Sequence, residues 1–307
     1  MLSGMPVQTR TVPFLDGQTW VQITSPASPQ PGAHPLFVLH GGPGMAHDYV
    51  RNIAELADET GRVVVHYDQI GCGRSTHLPD APRAFWTPAL FVDEFHAVRS
   101  ALVPELGTDR YHVLGQSWGG MLGAEIAVRR PEGLVSLSIC NSPASMTLWV
   151  EAANELRALL PRETQDALDR HEAAGTVSDP EYIAATLEFY RRHVCRVEPM
   201  PADFVDSEKQ MEAEPTVYHT MNGPNEFHVV GTLGDWSIVD RLPDIVAPTL
   251  VVAGEFDEAT PATWRPYVDR IPDVRSHVFG GASHCTHLEQ PAEFRAVIAS
   301  FLADHDR

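Results

Sequence analysis

A serine flanked by glycines two residues before and two residues after stands in Gly115-Gln-Ser117-Trp-Gly119. The strand-like run Tyr111-His-Val-Leu precedes it, and the small residues Gly120, Gly123, Ala124 and Ala127 after it suit a closely packed helix. A serine on so tight a strand-to-helix turn takes up a strained backbone conformation, with neighbouring chain too near the two glycines for β-carbons. The strain lifts the hydroxyl above the sheet, and the helix amino end aims backbone N–H groups at it, where they stabilise developing negative charge. The chemistry this favours is attack on a carbonyl. Such a serine needs a histidine to take its proton, and the histidine needs a carboxylate to fix its tautomer.

In a doubly wound sheet those partners must sit on loops at the carboxyl ends of strands. Asp257 qualifies after Leu250-Val-Val-Ala-Gly-Glu-Phe, and His284 qualifies after Val278-Phe-Gly-Gly-Ala-Ser. Among fifteen histidines, His284 is singled out by that post-strand loop and by the terminal helix expected after it. The order Ser117, Asp257, His284 is the one such a sheet uses. His287, three residues on, reads as a residue supporting the site or lying on the surface. The apolar run Leu36-Phe-Val-Leu39 ends in His40-Gly-Gly-Pro-Gly44, a loop that brings backbone N–H groups close to a ligand. An oxyanion hole is expected from the Trp118 N–H and an N–H of this loop, that of Gly42.

The elements that must hold these groups follow in order. Asp16-Gly17 between two β-rich runs over 9–24 predicts a hairpin. Buried-type strands are predicted at 36–39, 62–67, 111–116, 134–140 and 248–253, with a last short strand at 275–279. Helical spacing covers 49–60, with Val50, Ile53, Ala54, Leu56 and Ala57 on one stripe, and 91–106 and 292–302. Strand alternating with helix implies parallel strands and an α/β class. From 141 to 236 the pattern changes to successive helices near 147–160, 163–174, 180–194 and 203–213. The expected organisation is a core of 1–140 and 237–307 with a helical lid of 141–236, whose Trp149, Tyr182, Phe189, Tyr190, Phe204, Tyr218 and Phe227 supply packing and some cavity lining.

Composition narrows the partners. Twenty-two basic against forty-one acidic residues give a formal charge of -19, which repels nucleic acid and anionic membrane surfaces. Cys72, Cys140, Cys195 and Cys285 are widely spaced with no C-x-x-C pair, so reduced, buried thiols are expected rather than a disulfide framework or a zinc site. His284 and His287 lack a carboxylate at ligand spacing, and no metal or cofactor is expected. The opening Met1-Leu-Ser-Gly-Met-Pro6 has neither a charged nor an apolar leader region, and no apolar stretch of about 18 residues occurs. A soluble cytoplasmic protein is expected; nothing in the pattern sets an oligomeric state.

The set His40-Gly-Gly-Pro-Gly44, Asp68-Gln-Ile-Gly-Cys-Gly-Arg-Ser75, Gly115-Gln-Ser-Trp-Gly-Gly120 and Gly254-Glu-Phe-Asp-Glu258 resembles the proline iminopeptidase family of serine peptidases, on the α/β-hydrolase fold. The likeness spans nearly the whole chain. Within 141–236, Met221-Asn-Gly-Pro-Asn-Glu-Phe227 and Gly231-Thr-Leu-Gly-Asp-Trp236 are similar to the branch that includes the tricorn-interacting aminopeptidase. That branch holds the substrate's free amino group with two glutamates, and the resemblance places them at Glu226 and Glu258. Geometry supports the second: an amino-terminal nitrogen lies only about 2.5 Å from the scissile carbonyl carbon, so its receptor must neighbour the triad. On the residues alone, Glu226 reads equally as a helix-start carboxylate. The implied activity is cleavage of the amide after an unblocked amino-terminal residue, with proline preferred, on a small peptide or aminoacyl amide. Relatives also include amino-acid amidases and enzymes that strip an aminoacyl group from a polyketide macrolactam intermediate. Two further classes compete: another hydrolase on the same fold, such as an esterase with no need of the two glutamates or an epoxide hydrolase or dehalogenase, against which Ser117 argues, and a non-catalytic binding protein, against which an intact triad argues.

Overall fold

Apolar runs too short for helices make the strands, and the glycines and polar residues that end them make the loops of the site. The computed structural model describes residues 5–306, so the first four residues of the opening segment discussed above lie outside the described residues. The strands are β1 (Val7–Phe14), β2 (Gly17–Thr24), β3 (Leu36–Leu39), β4 (Val64–Tyr67), β5 (Tyr111–Gln116), β6 (Leu134–Cys140), β7 (Thr249–Gly254) and β8 (Val274–Phe279). Among the described residues they form one sheet in the order β1-β2-β4-β3-β5-β6-β7-β8. The hairpin strands β1 and β2 are antiparallel, and β2 joins β4 antiparallel; every pairing from β4 through β8 is parallel.

The hairpin differs from expectation at its turn. Phe14 pairs with Gly17, so Leu15 and Asp16 form the loop, and Leu15 rather than glycine carries the positive φ of 51°. Gly17 opens β2 because a β-carbon there would lie 2.9 Å from Thr76 Cβ. Along β3, Phe37 and Leu39 point into one buried cluster while Leu36 and Val38 point into the other, as a strand covered on both faces must.

The helices are α1 (Leu56–Thr60), α2 (Pro88–Leu106), α3 (Trp118–Ala127), α4 (Met146–Arg157), α5 (Arg162–Ala174), α6 (Pro180–His193), α7 (Ala202–Ala213), α8 (Thr216–Met221), α9 (Pro261–Arg270), α10 (Thr286–Glu289) and α11 (Pro291–His305). The stripe predicted over 49–60 is buried, but its first part, His47–Glu55, is a 3-10 helix. Its three-residue turn stacks Val50 directly over Ile53 on the buried line. Helices α8 and α9 are additional to the sequence expectation; both are proline-bounded and short. Helices α4 to α8 lie in the segment between β6 and β7. Cys140 of β6 pairs with Val252 of β7, so the chain leaves the sheet and returns beside the point of departure. No helix among the described residues is long and apolar enough to cross a membrane.

Candidate active site

Ser117 stands between β5 and α3 with φ 56° and ψ -124°, a conformation L-residues seldom adopt. The flanking glycines are sterically required. A β-carbon on Gly115 would lie 2.0 Å from Gly119 O, and one on Gly119 would lie 2.1 Å from Leu39 O at the end of β3. The turn is thus wedged against the neighbouring strand, which is why the serine hydroxyl faces a cavity above the sheet.

That cavity is lined by Gly42, Tyr49, Gln116, Ser117, Glu226, Glu258 and His284, with Met45, Val194, Phe204 and Met211 as apolar wall. A second lobe on the other side of Ser117 is lined by Gly42, Trp118, Met121, Met146 and Trp149. Six of the seven residues singled out in the sequence line one or both of these cavities, which share Gly42, Ser117 and Glu226, while Asp257 lies behind His284. No hydrogen bond joins Ser117 to His284 among the described residues, as is common before substrate tightens such a pair.

His284 Nδ1 lies 2.8 Å from Asp257 Oδ1. Asp257 is itself held by Ala259 N–H at 2.8 Å and by the Asn141 amide at 2.6 Å. With these donors on the carboxylate it can only accept, so the imidazole Nδ1 carries a proton toward it and Nε2 faces the cavity. Burial opposes a charge on His284, but the Asp257 charge and hydrogen bond, then Glu226 and Glu289, outweigh it and raise the histidine above its ordinary value.

Asn141 follows β6 directly, takes φ 51°, and also accepts from Thr286 Oγ1 at 2.9 Å. One amide thus ties the Asp257 loop to the turn after His284. Gln116 does the same for the other partners: its Nε2 donates to His284 O at 3.0 Å, and its Oε1 accepts from Tyr49 OH at 2.5 Å. The Tyr49 hydroxyl in turn accepts Gly41 N–H at 2.6 Å. Since Gly41 is committed to Tyr49, Gly42, with φ 110°, is the loop residue beside Ser117 and Trp118.

The loop after β4 braces the same region from behind. Gln69 N–H donates to His40 Nε2 at 3.0 Å, and the Gln69 side chain accepts from Trp118 Nε1 at 2.8 Å. Burial lowers His40 to about 4, so it is neutral and its Nδ1–H donates to Gly41 O at 3.0 Å. His287 is fully buried, contrary to the surface alternative, and its Nε2 lies 3.0 Å from Tyr49 O; burial lowers it to about 4.

The two glutamates differ in their partners. Glu226 accepts from Tyr218 OH at 2.6 Å, and Trp149 Nε1 donates to its backbone carbonyl at 2.6 Å. Burial raises its carboxyl above the ordinary range, against the opposing pulls of Tyr218 and His284. Glu258 is 1 % exposed, and neither of its carboxyl oxygens has a hydrogen-bond partner. Burial first, then the charges of Glu226 and Asp257, push it well above the carboxylate range. Its Oε1 lies 3.8 Å from His284 Nε2. A buried carboxyl left without a donor is costly, by roughly 1–3 kcal/mol, and calls for a cation or donor in the cavity.

Asn141, Gln116, Tyr49, Gln69 and Tyr218 were not singled out from the sequence as site residues. Only Asn141 carried a local sign, an Asn at the end of a buried strand, a residue type that tolerates positive φ. One His/Asp/Glu group with metal-like spacing occurs among the described residues, His171, Asp179 and Glu181; none of the three lines the cavity, and Glu181 pairs with Arg170 at 2.7 Å.

Comparisons with known proteins identify the fold and the family. Residues 34–291 match the profile of the alpha/beta hydrolase fold. Proline iminopeptidase of Lactobacillus delbrueckii subsp. lactis is 33% identical over 98% of this chain and 100% of its own length. The crystal structure of proline iminopeptidase from Mycobacterium smegmatis is 75% identical, with a TM-score of 0.92 over 97% of this chain and 99% of that one. The crystal structure of VinJ is 49% identical, again with a TM-score of 0.92 and the same coverage. The chain belongs to the proline iminopeptidase family of α/β hydrolases.

Proposed function

We propose that the chain is a serine aminopeptidase that cleaves the amide after an unblocked amino-terminal residue, preferring proline, on small peptides. The observation that carries this reading is Glu258, a buried carboxyl with no hydrogen bond to either oxygen, in one cavity with Glu226 and Ser117. A carboxyl so placed is relieved by a cation, and the substrate's ammonium must lie within about 2.5 Å of the carbonyl carbon under attack.

In this reading Ser117 Oγ attacks the carbonyl while His284 Nε2 takes its proton, and Asp257 holds the imidazole by Nδ1 and stabilises the imidazolium. The Gly42 and Trp118 N–H groups receive the oxyanion, whose loss of one donor costs about 2.7–4 kcal/mol. His284 then protonates the leaving nitrogen, and water releases the acyl group by the same steps in reverse. Glu226 and Glu258 hold the amine, so the bond cut is always the one next to it. A pyrrolidinium has two N–H donors for the two carboxylates, which favours proline over residues with three. Residues 141–236 act as the lid, supported by Tyr190, Phe204, Met211, Tyr218 and Glu226 of that segment lining the cavity. A cytoplasmic setting suits the four free, buried cysteines.

The test uses prolyl and alanyl amides, free and N-acetylated. Free amides should be cleaved and acetylated ones left intact, and Glu258→Gln should lower kcat/KM for the free amides at least about 30-fold, equivalent to roughly 2 kcal/mol. Equal cleavage of acetylated and free prolyl amides would overturn the amine-receptor reading in favour of an esterase or general amidase.

A further inference from the structure

Glu208 is a third carboxyl on the same cavity, and the reading above leaves it unused. It lies on α7, one residue after Ser207, whose buried hydroxyl accepts Tyr49 N–H at 3.0 Å and donates to Ala46 O at 3.4 Å. Those bonds pin α7 to the core and fix where Glu208 points. Among the described residues Glu208 has no hydrogen bond and no ion pair, although its cavity wall includes Met45, Val194, Phe204 and Met211. Burial, then the charges of Glu212 and Glu226, push its carboxyl up to about 7.

Tyr190, Glu208 and Met211 also line a second cavity, a groove between the helices bordered by Ile183, Leu187, Glu212 and His219. These three side chains therefore form the partition between the catalytic space and the groove. The carboxyls on both sides of it are Glu208, Glu212, Glu226 and Glu258; the imidazole of His284 stands at the catalytic end, and burial lowers His219, so it adds no positive charge at neutral pH.

We propose that Glu208 reads the far end of the substrate's first side chain and favours a cationic one. This rests on the aminopeptidase reading, in which Glu226 and Glu258 are occupied by the α-ammonium and Glu208 remains for a second positive charge on the same residue. An extended lysine places its ammonium about 6 Å from its Cα, well clear of the α-ammonium. The two ammonium groups are thus shared among three carboxyls, and each charge is met by hydrogen-bonding partners rather than left in an apolar wall.

The experiment compares kcat/KM for lysyl and norleucyl anilides, the second being the same chain without its ammonium, in the native enzyme and in Glu208→Gln, with circular dichroism and Tm as checks on folding. The native enzyme should prefer lysyl over norleucyl, and Glu208→Gln should lower that ratio at least tenfold. An unchanged ratio, or a native preference for norleucyl, overturns the proposal. If prolyl anilide is cleaved while neither of these is, the proposal falls alone; if no free-amine substrate is cleaved, the aminopeptidase reading falls with it.

Discussion

His284 is where the residues around the cavity act on one another most directly. Burial alone would lower it, yet Asp257, Glu226 and Glu289 raise it above 6.5. A base must be neutral to accept the Ser117 proton, so kcat/KM should fall as pH drops through a value above the ordinary histidine pKa. Glu226→Gln removes one of the charges that raise it, and the acid limb of kcat/KM for a simple ester should then move to lower pH. An unmoved limb would show that Glu226 does not act on the base. At this scale the sequence reading reaches Ser117, Asp257 and His284 because each ends or follows a strand in a glycine-rich context. It does not reach Asn141, Gln116 or Tyr49, whose roles are defined by partners 116, 168 and 67 positions away. No local pattern encodes a contact of that separation.

Turns between elements carry a contrast that a single methyl group can measure. A β-carbon on Gly119 would run into the backbone of β3, while one on Gly107, at the end of α2, meets nothing within 4 Å and is opposed only by its φ of 66°. Gly107→Ala should therefore cost about 1 kcal/mol. Gly119→Ala must displace a buried strand and should lower Tm far more, or leave no folded protein, and similar Tm values for the two would refute the steric account. The elements themselves were largely legible: α5, α6 and α7 lie within a few residues of their predicted bounds because apolar residues recur at helical spacing on faces that become buried. Helices α8 and α9 escaped notice since α8 spans only six residues, fewer than two turns, and α9 has Pro266 inside it, a residue that argues against a helix. The hairpin was legible too, but its turn residue was not, because Thr76 rather than turn preference decides where Gly17 sits.

Across the whole molecule the buried charge has a thermodynamic signature. Glu94 on α2 is fully buried and accepts from Thr19 Oγ1 of β2 at 2.5 Å and from Ile70 N–H, after β4, at 2.8 Å, both at Oε1, while Oε2 has no partner. Burial pushes it up to about 8. The folded state then holds a proton that the unfolded chain has released between about pH 4.5 and 8, so this group's contribution to stability declines across that window as pH rises. Glu94→Gln keeps an acceptor at Oε1 and removes the titration. Its unfolding free energy from urea titration should nearly match the native protein's near pH 5 and exceed it near pH 8, by up to roughly 2–4 kcal/mol. Parallel pH profiles for the two proteins would rule this out.

The carboxyls around Ser117 also bear on what happens after the bond is cut. A substrate enters the cavity with a positive charge and none opposing it, whereas the liberated amino acid carries a fresh carboxylate among Glu208, Glu226 and Glu258. Where the bound amine keeps these carboxyls ionised, they repel the new carboxylate, which favours release of the free amino acid. Prolinol, which keeps the amine and lacks the carboxylate, should accordingly inhibit at least tenfold more strongly than proline; equal inhibition constants would mean that the cavity does not sense the new charge.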